Sequence, residues 1–299
     1  MKTKLNVLFV AAILLFTSYV KAESKVSLRL NLQKGTIYEM TMAMNNNIDQ
    51  DVMGQKMKID QKMEMVSLYQ VLDVLPTGNF LIEYSMQKIK VNMTVNGQEI
   101  NMDSDGDASN PMNGPLKTIV SNKLKLELNK RGTVERVEGL EEYTKKLSEN
   151  PQLAQSMQMF TNENSFKSYV GQTFSYFPEN EVAKGEKWTS SLKLPSLMNM
   201  ETTMNFEVAD IKADQITLNV TSDVNLDSPI EQMGMKMQMK AKGTQTGTMA
   251  IDIADGWLRS SSLNQKFDIH MNMKNPQSGE DMEIPMVMNS VATTQVVKK

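Results

Sequence analysis

The 299-residue chain has no cysteine, one histidine (His270) and only 6% aromatic residues. Without cysteine there is no disulfide framework, no thiolate nucleophile and no thiolate metal ligand. A single imidazole leaves histidine-based acid-base chemistry with one candidate, and no G-x-S-x-G stretch supplies a nucleophilic serine. Paired carboxylates are the remaining catalytic alternative, because acids distant in sequence can meet in space. The expectation is a protein that is not an enzyme. Basic residues are not clustered either: the net charge is −3, with Lys and Arg mixed among Asp and Glu. That excludes the basic stripe of a nucleic-acid binder. Beyond residue 22 no apolar run approaches transmembrane length, and so few aromatics leave no interfacial girdles for an outer-membrane barrel.

The first residues, MKTKLNVLFVAAILLFTSYVKAES, place Lys2 and Lys4 ahead of an apolar run from Leu5 to about Val20. This is the pattern of a secretory signal peptide over residues 1–22, with Val20 and Ala22 at the small-residue positions and Glu23 opening the mature chain. The run is short for a retained anchor, and with no cysteine after it a lipid anchor on Cys is excluded. The expected location is the periplasm or the outside of the cell, where stability has to come from core burial alone.

What is abundant is methionine, 27 residues, and it recurs with period two. Successive side chains of a strand face opposite ways. YEMTMAM from Tyr38 therefore reads as a strand with Tyr38, Met40, Met42 and Met44 on one face, and KLKLELN from Lys123 as one with Leu124, Leu126 and Leu128. IKVNMTVNG from Ile89 and ITLNVTSDVNL from Ile216 read the same way. Pro76-Thr77-Gly78-Asn79, Lys130-Arg131-Gly132 and Ala254-Asp255-Gly256 are turns of hairpin length, which predicts antiparallel neighbours. DSDGDASNPMNGPLK from Asp103 reads as a surface loop followed by a short helix.

From Gly139 to Phe174 the spacing becomes helical, with Leu140, Tyr143 and Leu147 on one face, then Asn150 as N-cap with Pro151 behind it, then FKSYVGQTF. The flanking stretches resemble each other. KGTIYEM matches KGEKWTS, YQVLDVLPTGNFLIEY matches FEVADIKADQITLNV, and LELNKRGTVERVEG matches AIDIADGWLRSSS, in the same order. This predicts a mainly β (α+β) fold of long antiparallel strands in two tandem similar halves, duplicated from a unit of about 115 residues. Residues 23–138 form the first half, 139–178 a helical connector and 179–299 the second half.

Three motifs bear on function. NMDSDGD from Asn101 has the alternating oxygen ligands that open a calcium loop, but Met112 stands where the bidentate glutamate belongs, so a solvated turn is the better reading. His270 alternates with Ile269 and Met271 and falls beside Asp268 and Asn272 on a polar strand face. MGMKMQMK puts Met233, Met235, Met237 and Met239 on one strand face opposite Gly234, Lys236, Gln238 and Lys240. Thioethers are soft ligands suited to Cu(I) in an oxidising compartment. The same spacing recurs at Met40/Met42/Met44, Met63/Met65, Met198/Met200, Met271/Met273 and Met286/Met288, spread through both halves and many separate strands, which favours core packing over a metal site. Met is also adaptable, so a Met-lined face accommodates apolar ligands of varied shape.

The early KG-x-x-Y strand, MGQKM at Met53, the Pro-Thr-Gly hairpin, DSDGDASNP, LNKRGTVERVEGL and FPENEVAKGEKW together resemble an uncharacterised family of exported proteins of this length in Gram-negative bacteria. That resemblance transfers no functional residues. Long antiparallel strands with a few helices are also distantly similar to lipoprotein-carrier half-barrels, which implies a sheet face that binds acyl chains. The functional expectation is an exported, noncatalytic protein that needs no cofactor and holds a lipid, an apolar peptide or an envelope protein on a Met-rich face, with Met233, Met235, Met237 and Met239 as candidate contacts. The alternative is a Met-dependent periplasmic copper-binding protein.

Overall fold

A computed structural model of the chain describes residues 25–107, 109–110, 112–120, 122–148, 163–194, 200–232, 235–274 and 280–299. The expected signal peptide, the expected helix after Asn150, Met198 and Met233 lie outside the described residues.

The strands are β1 (Ile37–Val52), β2 (Gln55–Val74), β3 (Phe80–Val95), β4 (Gln98–Asp103), β5 (Lys123–Leu128), β6 (Val134–Glu138), β7 (Lys187–Leu194), β8 (Met200–Ile211), β9 (Gln215–Gln232), β10 (Met235–Asp252), β11 (Leu258–Lys274) and β12 (Asp281–Lys298). Among the described residues the helices are α1 (Asn113–Val120), α2 (Leu140–Ser148) and α3 (Glu163–Gln172). The strands form one 12-stranded sheet, curved and unclosed, in the order β6-β5-β3-β2-β1-β12-β11-β10-β9-β8-β7, with β4 paired to β3. Its centre is the pairing of β1 with β12, so the first and last of the described strands join the two flanks into a single sheet.

Alternation decides the faces. In β5, Leu124, Leu126 and Leu128 are buried while Lys123 and Lys125 are exposed. Carried across the sheet by the register, these positions define an inner face that holds the core. The inner face is covered at one end by the chain segment with Leu28, Leu30 and Leu32, by Leu140 and Tyr143 of α2, by Phe166 and Val170 of α3, and by Phe174 and Tyr176. Trp257 is at the centre of that end. It stacks on Tyr38 with ring centroids 4.1 Å apart and meets Tyr69 and Phe174 edge-on at 5.3 and 5.1 Å. Asp255, buried, accepts from the Tyr38 hydroxyl at 2.9 Å, the Trp257 amide at 2.9 Å and the Lys298 ammonium at 2.8 Å. Burial and the neighbouring Asp255 carboxylate push the Tyr38 phenol far above its usual range, so it stays a donor.

The matched stretches have matching irregularities. β2 and β3 share a bulge between Val71 and Asp73; β8 and β9 share one between Val208 and Asp210. The Gly35 amide donates to Val71 O and the Val71 amide to Thr36 O, at 2.8 and 2.9 Å; Gly185 with Val208 and Val208 with Glu186 repeat this at 2.8 and 3.0 Å. The loops after β5 and β10 likewise each follow a bulge, at Glu127/Leu128 and Ala250/Ile251. Each also closes on a short polar side chain that accepts amides two residues on: Asn129 from Arg131, and Asp252 from Ala254, both at 2.8 Å.

DSDGDASNPMNGPLK is partly helical, because α1 begins at Asn113. The Asn113 side chain links the loop to the helix: its Oδ1 accepts from the Asp103 amide and its Nδ2 donates to Asp107 O, both at 2.9 Å. Asp103 Oδ1 accepts from the Asp105 amide at 2.9 Å, a turn that closes through its own side chain.

Candidate functional site

Away from the helices, the inner face of β9 to β12 and β1 becomes rich in methionine. Residues opposite each other in an antiparallel ladder share a face, about 4.5–5.5 Å apart. Met237, Met273 and Met282 are direct cross-strand partners on β10, β11 and β12. The next row holds Met239, Met271 and Ile284, then Ala241, Ile269 and Met286, then Phe267, Met288 and Ile48. A cluster of Leu226, Ala241 and Ile269 with Met239, Phe267, Met271 and Met286 forms here from strand residues alone. Met237 is buried; Met239, Met271, Met273, Met282, Met286 and Met288 are half-buried. α1 packs on β3 and β4 and α3 on β6 and β7, on the other flank and the far edge of the sheet.

Of the candidate contacts, Met237 and Met239 therefore sit in one patch with Met271, Met273 and Met286. Met235 opens β10 opposite Gln232 in the same register. Two of the recurring pairs, Met271/Met273 and Met286/Met288, converge with the β10 methionines because antiparallel register brings β10, β11 and β12 side by side. Met42 and Met44 pair instead with Met65 and Met63, on the aromatic side of the sheet, so the scatter argument against a shared thioether site falls only for β10 to β12.

One feature has no counterpart in the sequence reading. A polar row crosses the inner face between the aromatic core and the methionine patch. Ser222, Gln245, Gln265, Ser290, Asn46 and Gln61 are successive cross-strand partners on β9, β10, β11, β12, β1 and β2. Asn46 Nδ2 donates to Gln61 Oε1 at 2.8 Å, Gln265 Nε2 to Gln245 Oε1 at 2.6 Å, and Ser222 Oγ lies 2.9 Å from Thr202 Oγ1. Asn46 Oδ1 and Ser290 Oγ, on directly opposed residues, are buried and have no hydrogen-bond partner. The available signal was NNNIDQ, in which Asn46 falls in step with Met42 and Met44.

The opposite face is polar, as the alternation predicts. His270 lies there between Asp268 Oδ1 at 3.3 Å and Glu283 Oε1 at 2.7 Å. It borders a groove of about 550 Å3 that also presents Asp227, Lys240, Lys242 and Asn272. Several of the charges in this groove are engaged: Lys240 faces Asp227 at 3.7 Å and His270 has its two carboxylates. Among the described residues no group of three or more His, Asp or Glu side chains is arranged to hold a metal ion, and no helix is long and apolar enough to cross a membrane.

The lipovitellin structure, whose title concerns lipid-protein interactions, is similar over 89% of this chain and 25% of its own, at 8% identity and a TM-score of 0.48. This chain thus spans a quarter of that one. The OpdQ protein of Pseudomonas aeruginosa is similar over 89% of this chain and 100% of its own, at 5% identity and a TM-score of 0.21. An outer-membrane channel of Pseudomonas putida F1 gives 90%, 97%, 7% and 0.21 for the same quantities. None of these likenesses bears on what the chain binds. No curated protein matches the sequence. A family model does, over residues 77–258, well over half of the chain, and the chain belongs to that family of unknown function, DUF6263.

Proposed function

We propose that this is an exported, noncatalytic binding protein that holds the apolar chain of a lipid on the methionine-rich end of the inner face. The observation that carries the reading is the patch itself: Met239, Met271, Met273, Met282, Met286 and Met288 remain half-buried at the end of the face away from the helices. Unbranched thioether side chains adapt to an apolar surface of varied shape. Burying them against a ligand is favourable by roughly 25 cal/mol per Å2 of apolar area. The export part of the proposal is supported by the N-terminal pattern of Lys2, Lys4 and the apolar run before Ala22, and the location proposed with it is the periplasm or the outside of the cell. The division into residues 23–138, 139–178 and 179–299 stands as part of the proposal, with the matched bulges as its support.

The test is titration of delipidated protein with diphenylhexatriene, a rod-shaped uncharged fluorophore. Saturable binding that is lost in Met271→Glu and Met286→Glu, with folding retained, is the expected result. Undiminished binding in both variants rejects the site.

A second reading has its own observation, the row Met237, Met273 and Met282 on three adjacent strands. Three thioethers on one face at cross-strand spacing fit the soft, low-coordinate site that Cu(I) takes. Cu(I) titration separates the two: stoichiometric uptake lost in a Met237→Leu, Met273→Leu variant supports copper, since Leu preserves packing volume and removes the ligand.

A further inference from the structure

On the aromatic side of the polar row, β1 and β2 carry a second group of methionines. Met42 is the direct cross-strand partner of Met65, and Met44 of Met63. Alternation puts all four on the inner face, in step with buried Tyr38 and Met40. Neighbouring strands lie about 4.8 Å apart and residues i and i+2 about 6.6 Å, so the four Cα positions mark a rectangle whose centre is about 4 Å from each corner. Thioether side chains are unbranched and have three rotatable bonds, which lets four sulfurs lean over that centre. The row Met237, Met273 and Met282 is less compact, because its outer members stand two strand spacings, about 9.6 Å, apart.

Met42, Met44, Met63 and Met65 are each half-buried, whereas Met40, one step along the same face of β1, is 5% exposed. The four side chains therefore keep accessible surface, and an ion meets them without opening the core. Toward β12 they face small residues, Ala292 opposite Met44 and Thr294 opposite Met42. Toward β3 they are flanked by Ile89 and Val91.

Charge selects the ion. The residues that alternate with the quartet face the other way, and Glu64 among them is paired with Lys88 at 3.2 Å. The rows on either side, Met40 with Ser67 and Asn46 with Gln61, add no carboxylate. Four neutral, soft donors suit a soft monovalent d10 ion. A divalent ion would find no anion there to offset its lost hydration.

We infer that Met42, Met44, Met63 and Met65 form a four-thioether site for a soft monovalent metal ion, Cu(I) or its analogue Ag(I). The site goes beyond the lipid-chain reading and takes no residue from the methionine patch, from which the Asn46–Gln61 pair of the polar row separates it.

The experiment titrates the full chain, carrying 13C-labelled methionine methyls, with Ag(I), a diamagnetic probe, and follows the methyl resonances, assigned from single Met→Leu variants. The first equivalent should shift the methyls of Met42, Met44, Met63 and Met65 together and in slow exchange, while Zn(II) shifts none of them. A Met42→Leu, Met65→Leu variant keeps packing volume and removes two ligands, so first-equivalent binding should be lost. Met44→Leu alone is the milder control: it should weaken Ag(I) binding while leaving the melting temperature near that of the unaltered protein, which a packing role would not produce. A first equivalent that shifts Met237, Met273 and Met282 instead overturns the inference. Small, fast-exchange shifts spread over exposed methyls such as Met53 and Met112 also overturn it, as adventitious coordination. So does a Zn(II) response at the quartet, or Ag(I) uptake that survives in the double variant.

Discussion

The hydroxyl of Tyr38 donates to Asp255 Oδ2 at 2.9 Å, which ties the start of β1 to the β10–β11 loop 217 residues further along the chain. Asp255 is buried and takes further hydrogen bonds from the Trp257 amide and Lys298, so one carboxylate positions the loop, the Trp257 ring and the final strand together. Tyr38→Phe keeps the stacking on Trp257 and removes one hydrogen bond to a charged acceptor, a loss of about 1.5–3 kcal/mol. Trp257→Ala should lower stability more, by about 3–5 kcal/mol, because it empties the centre of the core. Denaturant titration measures both, and a Tyr38→Phe effect as large as that of Trp257→Ala would contradict this ordering.

Gly256 has φ +72°, and a Cβ placed there would lie within 2.6 Å of the Arg29 carbonyl carbon. Gly35 also has a positive φ, +87°, but open space around it. Alanine at Gly35 should therefore lower stability only by the left-handed penalty, about 1–2 kcal/mol. Alanine at Gly256 adds a backbone collision that pushes away the segment with Leu28 and Leu30. Hydrogen exchange at the Leu30 and Asn31 amides, which donate to Lys130 O and Asp255 O, should rise in Gly256→Ala and not in Gly35→Ala.

Burial pushes the Asp252 carboxyl up, but hydrogen bonds from Arg259 and from the Ala254 and Asp255 amides outweigh it and hold the group below its usual range. Arg259 Nη2 lies 2.6 Å from Asp252 Oδ2, and its Nη1 lies 2.8 Å from Asp214 Oδ2 in the β8–β9 turn. A carboxyl with a depressed folded value stabilises the protein above the ordinary aspartate range, about 4, and loses that contribution as pH falls through the depressed value. Stability of Arg259→Met should thus trail the unaltered protein most above pH of about 5 and converge with it on acidification. A constant difference across that window would show that Arg259 acts through packing alone. Asp214, largely exposed, contributes little to the difference because water screens it.

Strand identity and face were legible because the signal is local. YEMTMAM and KLKLELN alternate, and Tyr38, Met40, Leu124, Leu126 and Leu128 are buried where the alternation puts them. The turns at Pro76, Lys130 and Ala254 were legible for the same reason, as were the matches that share bulges at Val71 and Val208. What one strand cannot show is its neighbour's register. The convergence of Met237 with Met273 and Met282, and the alignment of Asn46 with Ser290 and Gln265, exist only once six strands are laid side by side. The order of those strands was hidden too, since β1 pairs with β12 from the far end of the chain.

The methionine patch also has an oxidative signature. Met53, in the β1–β2 turn, is 70% exposed, whereas Met237 is 8% exposed and Met271 and Met286 are half-buried. Peroxide reaches exposed thioethers first, and the sulfoxide turns an adaptable apolar side chain into a polar one. Under graded peroxide Met53 should be oxidised before the patch, and diphenylhexatriene binding should be unchanged at that stage. Binding should fall in step with sulfoxide at Met271 and Met286, read by peptide mass spectrometry, and return on treatment with methionine sulfoxide reductases. Replacing Met53 by Leu should leave the loss curve where it is, and replacing Met271 and Met286 by Leu should shift it to higher peroxide. If binding instead tracks Met53, the ligand contacts the turn and the inner face is not the site. If oxidation of the patch leaves binding intact, the thioethers serve the protein's own packing and the chain-binding reading fails.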